Sequence, residues 1–186
     1  MNETEVIKGC LKNNRESQKA LYDYFYNKML GVCLRYAKDQ TEAKQMLHEG
    51  FTTVFSTLKS FKSVEPLEGW IRNIMIHACI DNLKKNKQNL IVSTVYANKT
   101  TVDTTEEISD EVLFSKVDNE KILKGVQELT PAYRKVFNLH LIEGYPHKKI
   151  AELLDISEET SELTLAKAKY NLRRNIKQLI KIKNGK

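Results

Sequence analysis

The chain has 186 residues, 41% of them apolar and 29% charged, with a net charge of +6. That length holds one medium domain or two small ones. No apolar run approaches the roughly 18 residues of a membrane span, which excludes a helical membrane protein. The first ten residues, MNETEVIKGC, lack the charged-then-apolar pattern of a signal peptide, so the expected location is cytoplasmic with no direct membrane insertion.

The charge is spread unevenly. Residues 1–89 carry 14 Lys/Arg against 10 Asp/Glu, residues 90–119 carry 2 against 6, and residues 120–186 carry 14 against 8. Two basic blocks flank an acidic middle, a pattern that fits a polyanionic partner.

Residues 17–36, rich in Leu and Tyr, carry the first long helical periodicity. From Ala43, apolar residues recur at Met46, Leu47, Phe51, Val54, Phe55 and Leu58, one stripe of an α-helix. A third long helix is expected over 66–85, opened by Pro66, whose missing N–H costs nothing at a helix start. Cys33 and Cys79 fall within these apolar patterns. Together with Cys10 they form no CxxC and no even framework, so they read as small buried hydrophobes. Residues 89–117 are Thr-rich, acidic and poorly periodic. They read as a linker with a short helix near its end. LIVSTVY within them has strand composition but no partner strand.

Residues 129–174 read as three helices with two short breaks. Pro131 opens the first, and Gly144 and Pro146 end it. The second runs from about His147 to Leu154. Asp155-Ile156-Ser157 is a tight corner with a buried aliphatic, and Ser157 is placed to cap a long last helix. Two helices joined by about three residues make a helix-turn-helix, whose second helix is built to enter a DNA major groove.

The helix after Pro66 carries a second feature. At roughly 100° per residue, Trp70, Asn73, His77, Asp81 and Lys84 share one narrow stripe, and the rest of the circumference is largely apolar. Trp offers a stacking face, Asn and His offer hydrogen bonds to base edges, and Lys84, Lys85 and Lys87 offer phosphate contacts. Two readings stand at this point: a nucleic-acid surface, or a solvated face whose Trp packs at a domain edge.

The stripe and the helix-turn-helix together resemble a family, the bacterial sigma factors of the extracytoplasmic-function group. The resemblance runs from about Leu21 to Arg174 and is carried by RYAKDQTEAKQMLHEGFTTVFSTLKSF, EGWIRNIMIHACIDNLKK and LTPAYRKVFNLHLIEGYPHKKIAELLDISEETS. It implies an all-α protein in three parts. Residues 1–88 form a sigma-two-like bundle, 89–118 a flexible acidic linker, and 119–186 a sigma-four-like helix-turn-helix domain. It implies a protein without enzymatic activity and without cofactor or metal. Such a protein binds core RNA polymerase and directs promoter-specific initiation. Its implied partners are polymerase, promoter DNA and an anti-sigma factor, with no small-molecule substrate.

Residue by residue, the resemblance assigns polymerase binding to Gln45, His48 and Glu49. It assigns the melted downstream element to the loop Phe61–Gly69 with Lys62, and to Trp70, Asn73, His77, Asp81, Lys84 and Lys85. The upstream element falls to Lys148 and Lys149, and to a recognition helix beginning near Ser157. There Glu158, Glu159, Ser161 and Glu162, with Thr160 in the same turn and Thr164 and Lys167 further on, are expected to face the groove. Arg173 and Arg174 lie farther along and are expected to be solvated.

The chain departs from the family pattern at several of these positions. Gln45 stands where an acidic residue is usual, His48 where Gln is usual, and His77 where Asn is usual; Glu49 is retained. In the recognition helix, Glu159 replaces Gly, Glu162 replaces Lys, Leu163 replaces Ser and Thr164 replaces Gln. Glutamate can accept from a cytosine amino group, but near phosphates it repels, and early acidic residues also favour a helix N-terminus. Two other readings stay open on sequence alone. One is a polymerase-binding protein with degenerate promoter reading. The other is a stand-alone helix-turn-helix repressor, which predicts a dimer on a palindromic operator. An enzyme has least support, since the sequence holds no Gly-rich phosphate loop and no HExxH, and its four His (His48, His77, His140, His147) lack ligand spacing.

Overall fold

The computed structural model describes residues 2–62, 66–85 and 117–184, with side chains to residue 180. The chain divides into two compact units, Met1–Lys85 and Asn86–Lys186. The described residues are helical throughout, with short connections and no strand. The strand-like LIVSTVY and the linker up to residue 116 lie outside them.

The first unit has four helices: α1 (Glu3–Leu11), α2 (Arg15–Tyr36), α3 (Gln40–Thr57, followed by a 3-10 turn at Leu58–Ser60) and α4 (Leu67–Lys85). Each start and stop has a local cause. Asn13 takes a left-handed conformation, φ 57°, to end α1, the backbone an Asn tolerates best after Gly. Asn14 Oδ1 then caps α2 by accepting from Ser17 N at 2.8 Å. Asp39 caps α3 by accepting from Glu42 N at 2.8 Å, while Glu42 accepts from Lys38 N at 2.6 Å, a reciprocal device close to a capping box.

Between those ends the 3.6-residue repeat decides which side is buried. Leu21, Phe25, Met29, Val32 and Cys33 from α2 meet Met46, Leu47, Phe51 and Val54 from α3, and Ile71, Met75, Cys79 and Ile80 from α4, all nearly inaccessible to water. Of the α3 stripe expected from sequence, only Phe55 is half-buried; the rest is core.

Gly50 lets Met75 of α4 pack against the backbone of α3. A Cβ there would overlap Sδ of Met75, itself fully buried. Gly50→Ala is expected to cost about 1–3 kcal/mol as an overpacked core. The midpoint of urea unfolding followed by the fluorescence of Trp70, the sole tryptophan, measures it.

The second unit comprises α5 (Asn119–Gln127), α6 (Pro131–Phe137) running into a π-helical segment (Asn138–Ile142), α7 (His147–Leu154) and the 27-residue α8 (Glu158–Asn184). Pro131 opens α6, with Thr130 Oγ1 accepting from Tyr133 N. Gly144, at φ 72°, turns the chain out of the π segment. Its core joins Val126 and Leu129 to Phe137 and to Ala168, Leu172 and Ile176 of α8. No helix among the described residues is long and apolar enough to cross a membrane.

Candidate functional site

The helix-turn-helix corner forms as the sequence implies. Asp155 ends α7 in the left-handed region at φ 55°, ψ 54°, and Ile156 N donates to Ala151 O at 3.1 Å. Ser157 Oγ then accepts from Thr160 N at 3.0 Å, the N-cap bond of α8. Ile156 is half-buried rather than fully enclosed.

The face that α8 turns outward differs from the expected one. Glu158, Glu159 and Glu162 are exposed and Lys167 is half-buried, but Thr160, Ser161 and Thr164 are buried, Ser161 completely. The reason is the helical repeat. Ser161 and Thr164 fall on the same stripe as Leu165, Ala168 and Leu172, the stripe that packs inward. There Ser161 Oγ bonds Nδ1 of His147 at 2.8 Å, tying α8 to the start of α7. His147 also stacks on His140, with ring centroids 4.3 Å apart and planes 17° from parallel. Ser161 therefore ties the two helices together, and Thr160 and Thr164 are buried as well, so none of the three faces outward. The outward face is instead Glu159, Glu162, Leu163, Ala166, Lys169, Tyr170 and Arg173. At the start of α7, Lys148 is exposed, and Lys149 places its ammonium 3.8 Å from the centre of the Tyr145 ring.

In the first unit the stripe on α4 is outward as expected. Asn73, His77, Asp81, Lys84 and Lys85 are exposed, Trp70 is half-buried, and the apolar remainder of the helix is core except for half-buried Ile74 and Ala78. Trp70 lies against Phe61, ring centroids 5.3 Å apart and tilted 53°. Phe61 follows the 3-10 turn, and Trp70 sits in the first turn of α4, whose N–H donates to Pro66 O at 3.2 Å. The two aromatic rings thus lie together, with exposed Lys62 next to Phe61 in the chain. Lys28 of α2 pairs with Glu68 at 2.5 Å, anchoring the start of α4. The hydrogen bond to Glu68 raises the pKa of the Lys28 ammonium.

Gln45, His48 and Glu49 share one face of α3. Gln45 Nε2 donates to Glu49 Oε1 at 3.2 Å, and Asn82 Nδ2, from α4, reaches both Glu49 oxygens at 3.4 Å. Asn82 is buried, so the Glu49 carboxylate is held at the α3–α4 seam. The His48 ring lies nearly parallel to that of Tyr22, planes 5° apart and centroids 6.1 Å apart, with Tyr22 Oη and His48 Nδ1 at 3.5 Å. Tyr22 also packs on Phe51 and Tyr26. Burial, with smaller contributions from Tyr26 and Asp23, pushes its phenol pKa up.

Sequence reasoning missed both supports, Asn82 and Tyr22. The signal for Asn82 was a polar residue between Ile80 and Leu83 on the apolar side of α4; Tyr22 gave none that separates it from the other tyrosines of α2. Among the described residues, no group of three or more His, Cys, Asp or Glu could hold a metal ion.

A helical bundle with an outward aromatic and polar stripe, followed by a helix-turn-helix unit, defines a two-part helical DNA-binding protein. The model described as Sigma-70 region 2 matches residues 21–89, and the one described as Sigma-70, region 4 matches residues 119–172. The chain is 22% identical over 163 residues to the RNA polymerase sigma factor YlaC of Bacillus subtilis (strain 168), covering 88% of this chain and 94% of that protein. It is 22% identical over 166 residues to the ECF RNA polymerase sigma factor SigX of the same organism, covering 88% and 86%. Its fold is similar to that of the sigma factor RpoE in a co-crystal structure with the anti-sigma factor NepR from Bartonella quintana, with a TM-score of 0.52, 12% identity, and 86% of this chain and 96% of that one covered. The chain belongs to the sigma-70 family, in the extracytoplasmic-function group, and is a sigma factor that directs promoter-specific transcription initiation.

Proposed function

We propose that this sigma factor divides its work among three surfaces. The α3 face of Gln45, His48 and Glu49 grips core RNA polymerase. The loop from Phe61 with the α4 stripe, Trp70, Asn73, His77, Asp81, Lys84 and Lys85, takes an unstacked base of the opened downstream element and its phosphates. The helix-turn-helix meets the upstream element as duplex, with Lys148 and Lys149 toward phosphate, Ser157, Glu158 and Glu162 toward the groove, and half-buried Lys167 at its margin. Thr160, Ser161 and Thr164 support that surface from inside. The protein acts in the cytoplasm, where promoter DNA and polymerase meet, and an anti-sigma factor is its regulatory partner.

The observation that carries this reading is the Phe61–Trp70 pair, one ring just after the 3-10 turn and one in the first turn of α4, with exposed Lys62 next to Phe61 in the chain. An unpaired base stacks on such a face in a way a duplex base cannot. The test is run-off transcription with core polymerase from the same cell over a genomic library, with and without the protein. New discrete start sites are expected, and their alignment gives both promoter elements. No new transcripts despite co-elution with core polymerase would leave a binding protein without promoter reading. Glu49→Ala is expected to weaken binding to core polymerase by about tenfold, or about 1.4 kcal/mol, in an anisotropy titration of the labelled protein. Unchanged affinity would move the polymerase contact off this face of α3.

A further inference from the structure

The outward face of α8 combines features that are awkward for a DNA reader. Its first two turns carry Glu158, Glu159 and Glu162, all exposed, and glutamates near phosphate oppose binding. Leu163 and Tyr170 follow, 46% and 42% exposed. The exposed cations, Lys169, Arg173 and Arg174, come about two turns or more beyond Glu162, with half-buried Lys167 between. Acid at one end, apolar groups in the middle and base at the other end suit a second helix laid antiparallel.

We propose that α8 pairs with α8 of a second copy of this chain, antiparallel and centred on Ala166, in a weak dimer that covers the outer face of the helix-turn-helix. At roughly 100° per residue, Glu159, Glu162, Leu163, Ala166, Lys169, Tyr170 and Arg173 all lie within about 60° of one line. Their spacing reads the same in both directions from Ala166. In a two-fold antiparallel pair each residue keeps its side of the seam, and it meets the partner's residue on that same side that lies within one residue's rise, about 1.5 Å, of level with it. Glu162 then meets the partner's Lys169 on one side of the seam. Leu163 meets the partner's Tyr170 on the other side. Glu159 meets the partner's Arg173 at each end, and two small Ala166 side chains meet at the axis, where they let the backbones approach. Heptad-like spacing of this kind is what sustained helix pairing requires, and the antiparallel arrangement also sets each helix dipole against its opposite.

The seam spans about four turns, or about 20 Å. Leu163 and Tyr170 are the only large apolar side chains that each copy brings to it, too little apolar surface for a stable interface, so the dimer is weak. Its ion pairs lie at the surface, so salt loosens it further. Because the seam is the groove-facing side of α8, the dimer and upstream-element binding exclude one another.

The test is sedimentation equilibrium of the full chain across the micromolar range, at low and high salt. A monomer–dimer equilibrium weakened by salt is expected. Glu159→Arg places arginine against arginine and is expected to abolish the dimer. Adding Arg173→Glu in the same chain restores opposite charges and the dimer with them. Ala166→Cys is expected to give a disulfide-linked dimer on mild oxidation, since the three native cysteines are buried. Circular dichroism verifies that each variant keeps its helices. A monomer at every concentration, a dimer indifferent to Glu159→Arg, or no rescue by the double variant overturns the proposal. Run-off transcription is a separate readout, so loss of the dimer leaves the sigma reading standing.

Discussion

Trp70→Ala is expected to lower promoter opening by about 10- to 100-fold while polymerase binding stays within about twofold, since a base stacked on an aromatic ring is worth about 1–3 kcal/mol. The selectivity follows from position. Trp70 is half-buried against Phe61, outside the core built by Ile71, Met75 and Cys79. It is also on a different helix from Gln45, His48 and Glu49. Permanganate reactivity of unpaired thymines measures opening, and co-elution with core polymerase measures binding. Trp70→Phe keeps an aromatic face and is expected to recover most of the opening. Equal loss of opening and binding in Trp70→Ala would identify a folding defect and remove the stacking role.

The second large effect lies in the other unit. Arg134→Ala is expected to destabilise the helix-turn-helix unit by about 3 kcal/mol or more, given about 1.5–3 kcal/mol for each hydrogen bond from a charged donor. Arg134, on α6, is buried and sends Nη2 to Gln127 O at 2.6 Å and Leu129 O at 2.9 Å. Those carbonyls lie at the last residue of α5 and two residues past it, where a helix leaves acceptors without intrahelical partners and where positive charge is favoured. Asn138 Nδ2 in turn donates to Arg134 O at 2.9 Å. Truncating the arginine strands the carbonyls and opens a void. In urea, the circular dichroism of the full chain is expected to lose part of its amplitude early, while Trp70 fluorescence, reporting the first unit, keeps its midpoint. Coincident shifts in both signals would show that Arg134 matters beyond its own unit.

Much of this architecture was legible in the sequence because its signals are local. The stripe from Ala43 to Leu58, the cap at Ser157, the stop at Gly144 and the corner at Asp155 each depend on residues within a turn or two of one another. The α4 stripe was legible for the same reason, since one helix's periodicity separates outward Trp70 and His77 from inward Ile71 and Met75. Short elements gave weaker signals. Neither α1 nor α5 was expected as such, for each has nine residues, too few for periodicity to stand out; the short helix read near the end of the linker lay just ahead of α5.

The polar residues misled most. Ser161 and Thr164 look like groove-facing groups by chemistry, yet their angle around α8 puts them inside, and only the tertiary partner His147 explains why the Ser161 hydroxyl is tolerated there. Arg134, Asn82 and Asn175 are inward polar groups of the same kind. Asn175 Nδ2 reaches Gly125 O at 3.2 Å across fifty residues of chain, a relation that no local pattern carries.

Cys10, Cys33 and Cys79 are all shut inside the first unit, at 5%, 0% and 0% exposure. Burial also pushes the Cys10 thiol up, so less of it is the reactive thiolate. A thiol reagent therefore meets a reactive sulfur only when the bundle opens, and its labelling rate is a clock on that opening. Run on the free protein and again with polymerase bound, the clock reports how far the partner quiets the bundle's breathing, with no label added to the chain.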